Sequence, residues 1–274
     1  MISECSLLSP HGQGVMPVIS KTIRLVSHTI PNIPLVRSIP HRLLKPLHEL
    51  LGLKGGVIDL LGFRMHLDPR ECVDGDLWFT PQFYDHKEFA YLLARFPDNG
   101  VLVDAGSNVG FWSLRFAHGF PHGRICAIEA NPATFDILCS NIVVNGYTNI
   151  LPIYVGISDC EGEMPLYCND TGNRGGDSFS EAASDRDKTV TVAVKPLQMI
   201  LQEAGIDRID VLKLDIEGYE KQVLERFFRE APVSLRPKFI CTEISHTPEV
   251  VDLIQSMGYA MVLTARENCI LALQ

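Results

Sequence analysis

Apolar residues along this chain gather into short blocks, divided by polar turns that carry glycine, proline or asparagine. Val101-Leu102-Val103 leads into Asp104-Ala105-Gly106, which predicts a buried strand stopping at a glycine turn. Helical spacing follows from Val109 to His118, and Arg124 to Glu129 predicts the next strand. Asn131-Pro132 opens a helix running to about Val144, with Asn as N-cap and Pro in its favoured first turn, and Asn145-Gly146 ends it. Ile150 to Ile157 predicts a third strand, Ile209 to Asp215 a fourth and Phe239 to Ile244 a fifth. Helices are expected at Leu197 to Ala204, Gly218 to Glu230 and Pro248 to Met257, and Tyr259 to Thr264 with Cys269 to Leu273 reads as a closing hairpin. Strands alternating with helices at this spacing form βαβ units around a parallel sheet.

Three segments stand outside that alternation. Gly56 to Pro69 reads as a β-hairpin turning at Leu61-Gly62, followed by a helix from Tyr84 to Phe96. Glu163 to Cys168 and Thr189 to Val194 read as strands flanking Asn169 to Lys188. That run is rich in Gly, Ser and Asp and is expected to be a structureless lid that orders on acceptor binding. Residues 1–20 have no period and are expected to be poorly ordered, and Pro31, Pro34, Pro40 and Pro46 break residues 18–53 into short helices. The expected organisation is an N-terminal arm over 1–55 and one α/β domain over 56–274.

Composition narrows the function classes. With 274 residues, 46% hydrophobic and 21% charged, the chain can bury a full core. A net charge of −9 argues against a dedicated nucleic-acid binder. The balance is uneven, since residues 1–56 carry six basic side chains against Glu4 and Glu49. That leader reads as a solvated segment, with a membrane-surface or acidic-partner contact as the competing reading. Eight cysteines show no C-x-x-C pair and no zinc spacing, so free thiols in a reducing compartment are expected. No apolar run is long enough to span a bilayer and no basic residue precedes Lys21, so the expectation is a soluble, cytoplasmic protein.

The chemistry collects at the strand ends. Asp104-x-Gly106-x-x-x-Gly110 lacks the G-x-G-x-x-G of a dinucleotide site, with Ser107 and Asn108 where the second glycine would fall. A carboxylate beside the turn repels a pyrophosphate and attracts the ammonium and sulfonium of S-adenosylmethionine. Glu129, ending the next strand, suits the two hydroxyls of a ribose, with a helix-capping role as its structural alternative. Ser158-Asp159 at the third strand's end would meet an adenine edge, or simply form a turn. Lys213 inside a central strand requires a carboxylate partner. Asp215, Glu217 and Glu220 follow it, and a structural cap needs only one of the three. The others suggest substrate positioning, a general base or an oxygen-ligated metal. Glu243 ends the fifth strand at the same edge, and His246 just beyond it is a candidate base or an inert loop residue.

The stretches Val103 to Gly110, Glu129 with Asn131-Pro132, and Leu212 to Glu220 resemble the FkbM family of methyltransferases over about Val57 to Leu263, Ser107 standing where members commonly have Ala. The resemblance implies a Rossmann-like class I methyltransferase fold: a seven-stranded, mostly parallel sheet with a C-terminal antiparallel hairpin, here with an N-terminal extension. It implies S-adenosylmethionine as donor and O-methylation of a hydroxyl on a sugar or natural product. It assigns Asp104, Gly106, Gly110 and Glu129 to the cofactor and Asp215, Glu217 and Glu243 to the catalytic edge. On that reading Asp215 or Glu243 removes the hydroxyl proton, alone or through a divalent cation, and Lys213 holds the carboxylate. A non-catalytic nucleoside-binding scaffold and a nicotinamide dehydrogenase are the opposing readings, and oligomeric state stays open.

Overall fold

The structure is a computed structural model and describes residues 18–29, 43–50, 52–169, 172–180, 188–244 and 249–274. Its centre is a strand that has no exposed face. β3 (Val101–Ala105) is buried at every position, as expected of an inner parallel strand covered on both sides. It pairs in parallel with β4 (Arg124–Glu129) on one side and β9 (Val211–Leu214) on the other. β5 (Ile150–Tyr154), β10 (Phe239–Glu243), β11 (Tyr259–Thr264) and β12 (Asn268–Leu273) complete a seven-stranded sheet in the order β11-β12-β10-β9-β3-β4-β5. Only β12 runs antiparallel to its neighbours, so the closing hairpin is present as expected.

Alternation along the strands divides the core in two. Leu102, Ile125, Val211 and Cys241 face α5 (Phe111–Gly119), α6 (Pro132–Asn145), α4 (His86–Leu93) and α3 (Cys72–Phe79). Val103, Cys126, Leu212 and Ile240 face α7 (Leu197–Glu203), α8 (Glu220–Glu230) and α9 (Glu249–Ser256). The hairpin of β1 (Gly56–Leu60) and β2 (Phe63–Leu67) forms a separate two-stranded sheet and closes the first core with Ile58, Phe63 and Met65. α1 (Val18–His28) and α2 (Lys45–Leu50) lie beside α3. Among the described residues no helix is long and apolar enough to cross a membrane.

Three sequence expectations change. The third strand is not continuous: it breaks at Val155, after which β6 (Gly156–Ile157) joins β7 (Gly162–Cys168) and β8 (Lys188–Lys195) in a small second sheet. Just past the break the chain packs closely, since a Cβ on Gly156 would lie 2.5 Å from the Phe179 ring and 2.9 Å from Val194. Pro152 interrupts no ladder that matters, since β5 is the sheet edge. Residues 70–83, where the pattern shows no element, contain α3, whose Gly75 sits against the Pro69 carbonyl. The run expected to be structureless has structure in its described part: a 3₁₀ turn at Arg174–Gly176 and a bridge pairing Ser178 with Tyr167.

The glycine turn also has a packing role. Gly106 has φ 79°, and a Cβ there would fall 1.9 Å from the Asp215 carbonyl oxygen. The absent side chain therefore lets the β3 turn meet the end of β9. Gly106→Ala is expected to destabilise the fold by about 2 kcal/mol or more through combined strain and clash. Urea denaturation giving an unchanged midpoint would show that the two segments separate freely.

Candidate functional site

The carboxyl ends of β3, β4 and β9 open onto a cleft, as open α/β sheets require. It has two adjoining pockets of about 510 and 600 Å3 including their open mouths. Gly106, Asn108, Gly175, Asp215 and Glu217 line both.

The turn after β3 is pinned from the neighbouring strand. The Gly106 and Ser107 N–H groups and the Ser107 hydroxyl all donate to the Ile128 carbonyl, at 3.0, 2.9 and 3.1 Å. Asn108 adopts φ 49°, and its N–H donates to Glu129 Oε2 at 2.8 Å. Its side-chain Oδ1 is buried without a hydrogen-bond partner, an arrangement that costs free energy until a donor arrives. Gly110, at φ 90°, starts α5 where a Cβ would strike Leu138.

Glu129 stands in the wall of the first pocket, and Oε1 accepts from the Asn131 N–H at 2.8 Å. Asn131 is also the N-cap of α6, accepting from Ala133 and Thr134, so capping and site share one corner. Burial pushes the Glu129 carboxyl up from 4.5 to about 7, against the pull of the two N–H donors. Ile128, Val155, Ile157, Leu166 and Phe179 give the rest of this pocket an apolar lining.

The described part of residues 169–188 closes this wall. Asp177 receives Asn131 Nδ2 at 2.5 Å, and Ser178 Oγ donates to the Glu217 carbonyl at 2.7 Å. Arg174 pairs with Asp74 at 3.0 Å and lies 3.6 Å from Glu71. Desolvation raises the Asp74 carboxyl to about 6 even with Arg174 beside it.

The second pocket has a charged floor. Asp104 and Lys213 are register partners on β3 and β9, facing α5. Asp104 is 1% exposed and does not stand free beside the turn: its Oδ2 accepts from Ser113 N–H at 3.0 Å and Ser113 Oγ at 2.6 Å. Burial raises it to about 6. Lys213, equally buried, donates to Asp215 Oδ2 at 2.8 Å and lies 5.6 Å from the Trp112 ring centre. Burial alone would lower the lysine, but Asp215 and Asp85 outweigh it and hold it above its ordinary value. Asp85, at φ 45°, accepts from Trp112 Nε1 at 2.8 Å and from Asn268 Nδ2 at 3.2 Å; burial raises its carboxyl to about 6.

Of the three acids after Lys213, Glu220 is the structural one. It is buried and accepts from the N–H groups of Ile216 and Gly218, tying the loop to the start of α8. Asp215 and Glu217 instead face the cleft, Glu217 at φ 54°. Glu243 joins them from β10, and carboxylate oxygens of the three lie within 4.8 Å of one another. Such a donor set suits a hard divalent cation.

The structure thus brings Asp104, Gly106, Ser107, Asn108, Glu129, Lys213, Asp215 and Glu217 to one cleft, with Glu243 against its acidic end and Gly110 behind the turn. It does not bring Ser158 and Asp159 there. The Ser158 hydroxyl is buried against Met164 and Asp159 is exposed, so the apolar end is built by Val155, Ile157 and Phe179 instead. His246 lies outside the described residues. Pattern reading missed Asp85, Trp112 and Asn268, which come from three distant elements, and Arg174, which sits in a run too polar to read.

Comparison with known proteins bears on this geometry. A family model described as the methyltransferase FkbM domain matches residues 104–261. Methyltransferase sdnD of Sordaria araneosa is 32% identical over 181 residues, 56% of this chain and 69% of that protein. Methyltransferase 1 of Beauveria bassiana is 31% identical over 160 residues, covering 51% and 64% respectively. Hexuronic acid methyltransferase AglP of Haloferax volcanii is 28% identical over 141 residues, covering 49% and 52%. The chain therefore spans between half and about two thirds of the length of these relatives.

The raised Glu129 carboxyl has a measurable consequence. The folded chain keeps this proton up to about pH 7, whereas the unfolded chain releases it near 4.5, so the group's stabilising contribution is present below 4.5 and lost as pH rises to 7. The stability of the wild type relative to Glu129→Gln is expected to fall across that window by on the order of 3 kcal/mol. Denaturation curves at several pH values measure it; a difference that stays level or grows with pH would contradict the assignment.

Proposed function

The chain belongs to the FkbM methyltransferase family, and on that premise we propose that it transfers a methyl group from S-adenosylmethionine to a hydroxyl of a sugar or natural product. The fold is the Rossmann-like class I methyltransferase fold, with the reversed β12 near the sheet's end. One observation carries the donor assignment: a single cleft joins an apolar pocket, a ribose-ready carboxylate at Glu129 and an acidic pocket beyond them.

S-adenosylmethionine supplies an electrophilic methyl group on a sulfonium. Its fit is supported by the unpartnered Asn108 Oδ1, which needs a donor, and by the absence of a glycine-rich phosphate cradle. In this reading Ile128, Val155, Ile157 and Phe179 receive the adenine, and Glu129, still able to accept further hydrogen bonds, takes the ribose hydroxyls. The Gly106 to Asn108 turn and the Asp104 side of the second pocket receive the methionine end, whose positive charge favours ionised Asp104.

Methyl transfer is a displacement, so the protein has to align the acceptor oxygen and remove its proton. Asp215, held by Lys213, is our general base, with Glu243 beside it. Lys213 fixes one Asp215 oxygen and leaves the other to face the acceptor. The same carboxylates suit a divalent cation, which would lower the hydroxyl's pKa at that edge. The sugar reading is supported by the hexuronic acid methyltransferase among the relatives.

Isothermal titration is expected to show binding of S-adenosylmethionine and S-adenosylhomocysteine and none of NAD; binding of NAD alone would overturn the proposal. Glu129→Ala should weaken donor binding by about 1–3 kcal/mol, and unchanged affinity would remove Glu129 from the ribose site. Against a panel of uronic acids, neutral sugars and polyketide alcohols, Asp215→Asn should keep donor affinity while kcat drops roughly 10²–10⁴-fold. Full turnover by that variant would dismiss Asp215 as base. Turnover that survives chelation by EDTA assigns proton removal to the carboxylates without a cation.

A further inference from the structure

Helices α1 and α2 are turned inside out relative to the usual soluble pattern. α1 buries Ser20 and Ser27, both fully, alongside Ile23, while Leu25 is 68% exposed and Val26 is exposed with it. The buried serines are satisfied: Ser20 Oγ is 3.0 Å from His48 Nε2, and Ser27 Oγ donates to the Arg24 carbonyl. α2 does the same, burying His48 between the rings of Trp78 and Phe79. Its apolar residues Leu47 and Leu50, with Leu43 in the turn leading into it, point outward. Leu43 and Leu50 are 64% and 84% exposed, and the spacing i, i+4, i+7 makes the three one stripe. Elsewhere among the described residues exposed apolar side chains are single, apart from Met261, Val262 and Leu273 on the paired β11 and β12, each only 38% exposed; here two adjoining helices each present theirs.

Charge selects the occupant. Residues 1–56 hold six basic side chains against two acidic ones, whereas residues 57–274 hold 18 against 31. Lys21 of α1 and Lys54 just after α2 are exposed. The leucine-bearing segment is thus the basic part of an otherwise acidic molecule. We propose that α1 and α2 form a peripheral docking face for an anionic lipid bilayer, laying the leucines at the acyl boundary and the lysines among the headgroups. A neutral surface would use the leucines but not the lysines, and a second copy of this chain meeting through the same face would bring like charges together. The helices join the main fold through α3: His28 Nε2 lies 3.1 Å from the Trp78 carbonyl and Gln82 Nε2 donates to the Ser27 carbonyl. α3 also contributes Val73 to the second pocket and Asp74 to Arg174, so docking abuts the site without using its residues.

The test is co-sedimentation of the full chain with vesicles of phosphatidylcholine alone or mixed with phosphatidylglycerol. Binding is expected with the anionic vesicles only, weakening as salt rises. Leu43→Ser/Leu47→Ser/Leu50→Ser should reduce it by about tenfold or more. Lys21→Glu/Lys54→Glu should reduce it independently, and both variants should retain wild-type thermal stability and S-adenosylmethionine affinity. Equal binding to both vesicle types, no binding to either, or charge-reversed protein that binds as wild type would overturn the proposal. So would a dimer, detected by ultracentrifugation without lipid, that the serine variant abolishes.

Discussion

A buried ammonium on a central strand is the constraint around which the cleft is assembled. Lys213 is 3% exposed, so its charge is sustained by the carboxylates around it: Asp215 in contact, Asp104 alongside on β3 and Asp85 across the Trp112 indole. Each of those acids is in turn placed by something else. Ser113 holds Asp104, Trp112 and Asn268 hold Asp85, and the Gly106 turn presses on the backbone at Asp215. Removing any one partner leaves a desolvated charge on the others. The network fixes the positions of α5, the end of β9 and the loop before α4 together.

Much of this architecture was readable from the pattern of residues. Arg124 to Glu129 and Tyr259 to Thr264 match the observed strands end for end, because both are apolar blocks bounded by turn chemistry. The cap at Asn131 and the stop at Gly146 follow from residue type alone. The requirement that Lys213 find a carboxylate was legible too, since a charge within a central strand has no other outcome. What could not be read was anything imposed by a distant segment. The need for glycine at 156 comes from Phe179, more than twenty residues later, and the need for glycine at 106 comes from the carbonyl that follows β9. Ser158 and Asp159 looked suited to the cleft only while the third strand was taken as continuous.

The acids after Lys213 show how identical chemistry separates by geometry. Glu220 turns back to satisfy two backbone N–H groups, whereas Glu217, three residues earlier, is forced into a left-handed conformation that faces the cleft. Strained backbone at Asn108, Glu217 and Asp85 surrounds the same space, and strain of that kind persists only where the surrounding structure over-determines it. The described residues between 169 and 188 contribute Arg174, Gly175, Asp177 and Phe179 to the walls around it.

The two pockets share Gly106, Asn108, Gly175, Asp215 and Glu217 in their walls. A molecule resting in one chamber therefore furnishes part of the wall of the other. Where filling the first shifts those residues, it alters the free energy of filling the second, and thermodynamic reciprocity makes the effect equal in both directions. In a cleft so arranged, occupancy on one side of these residues and occupancy on the other belong to a single linked equilibrium.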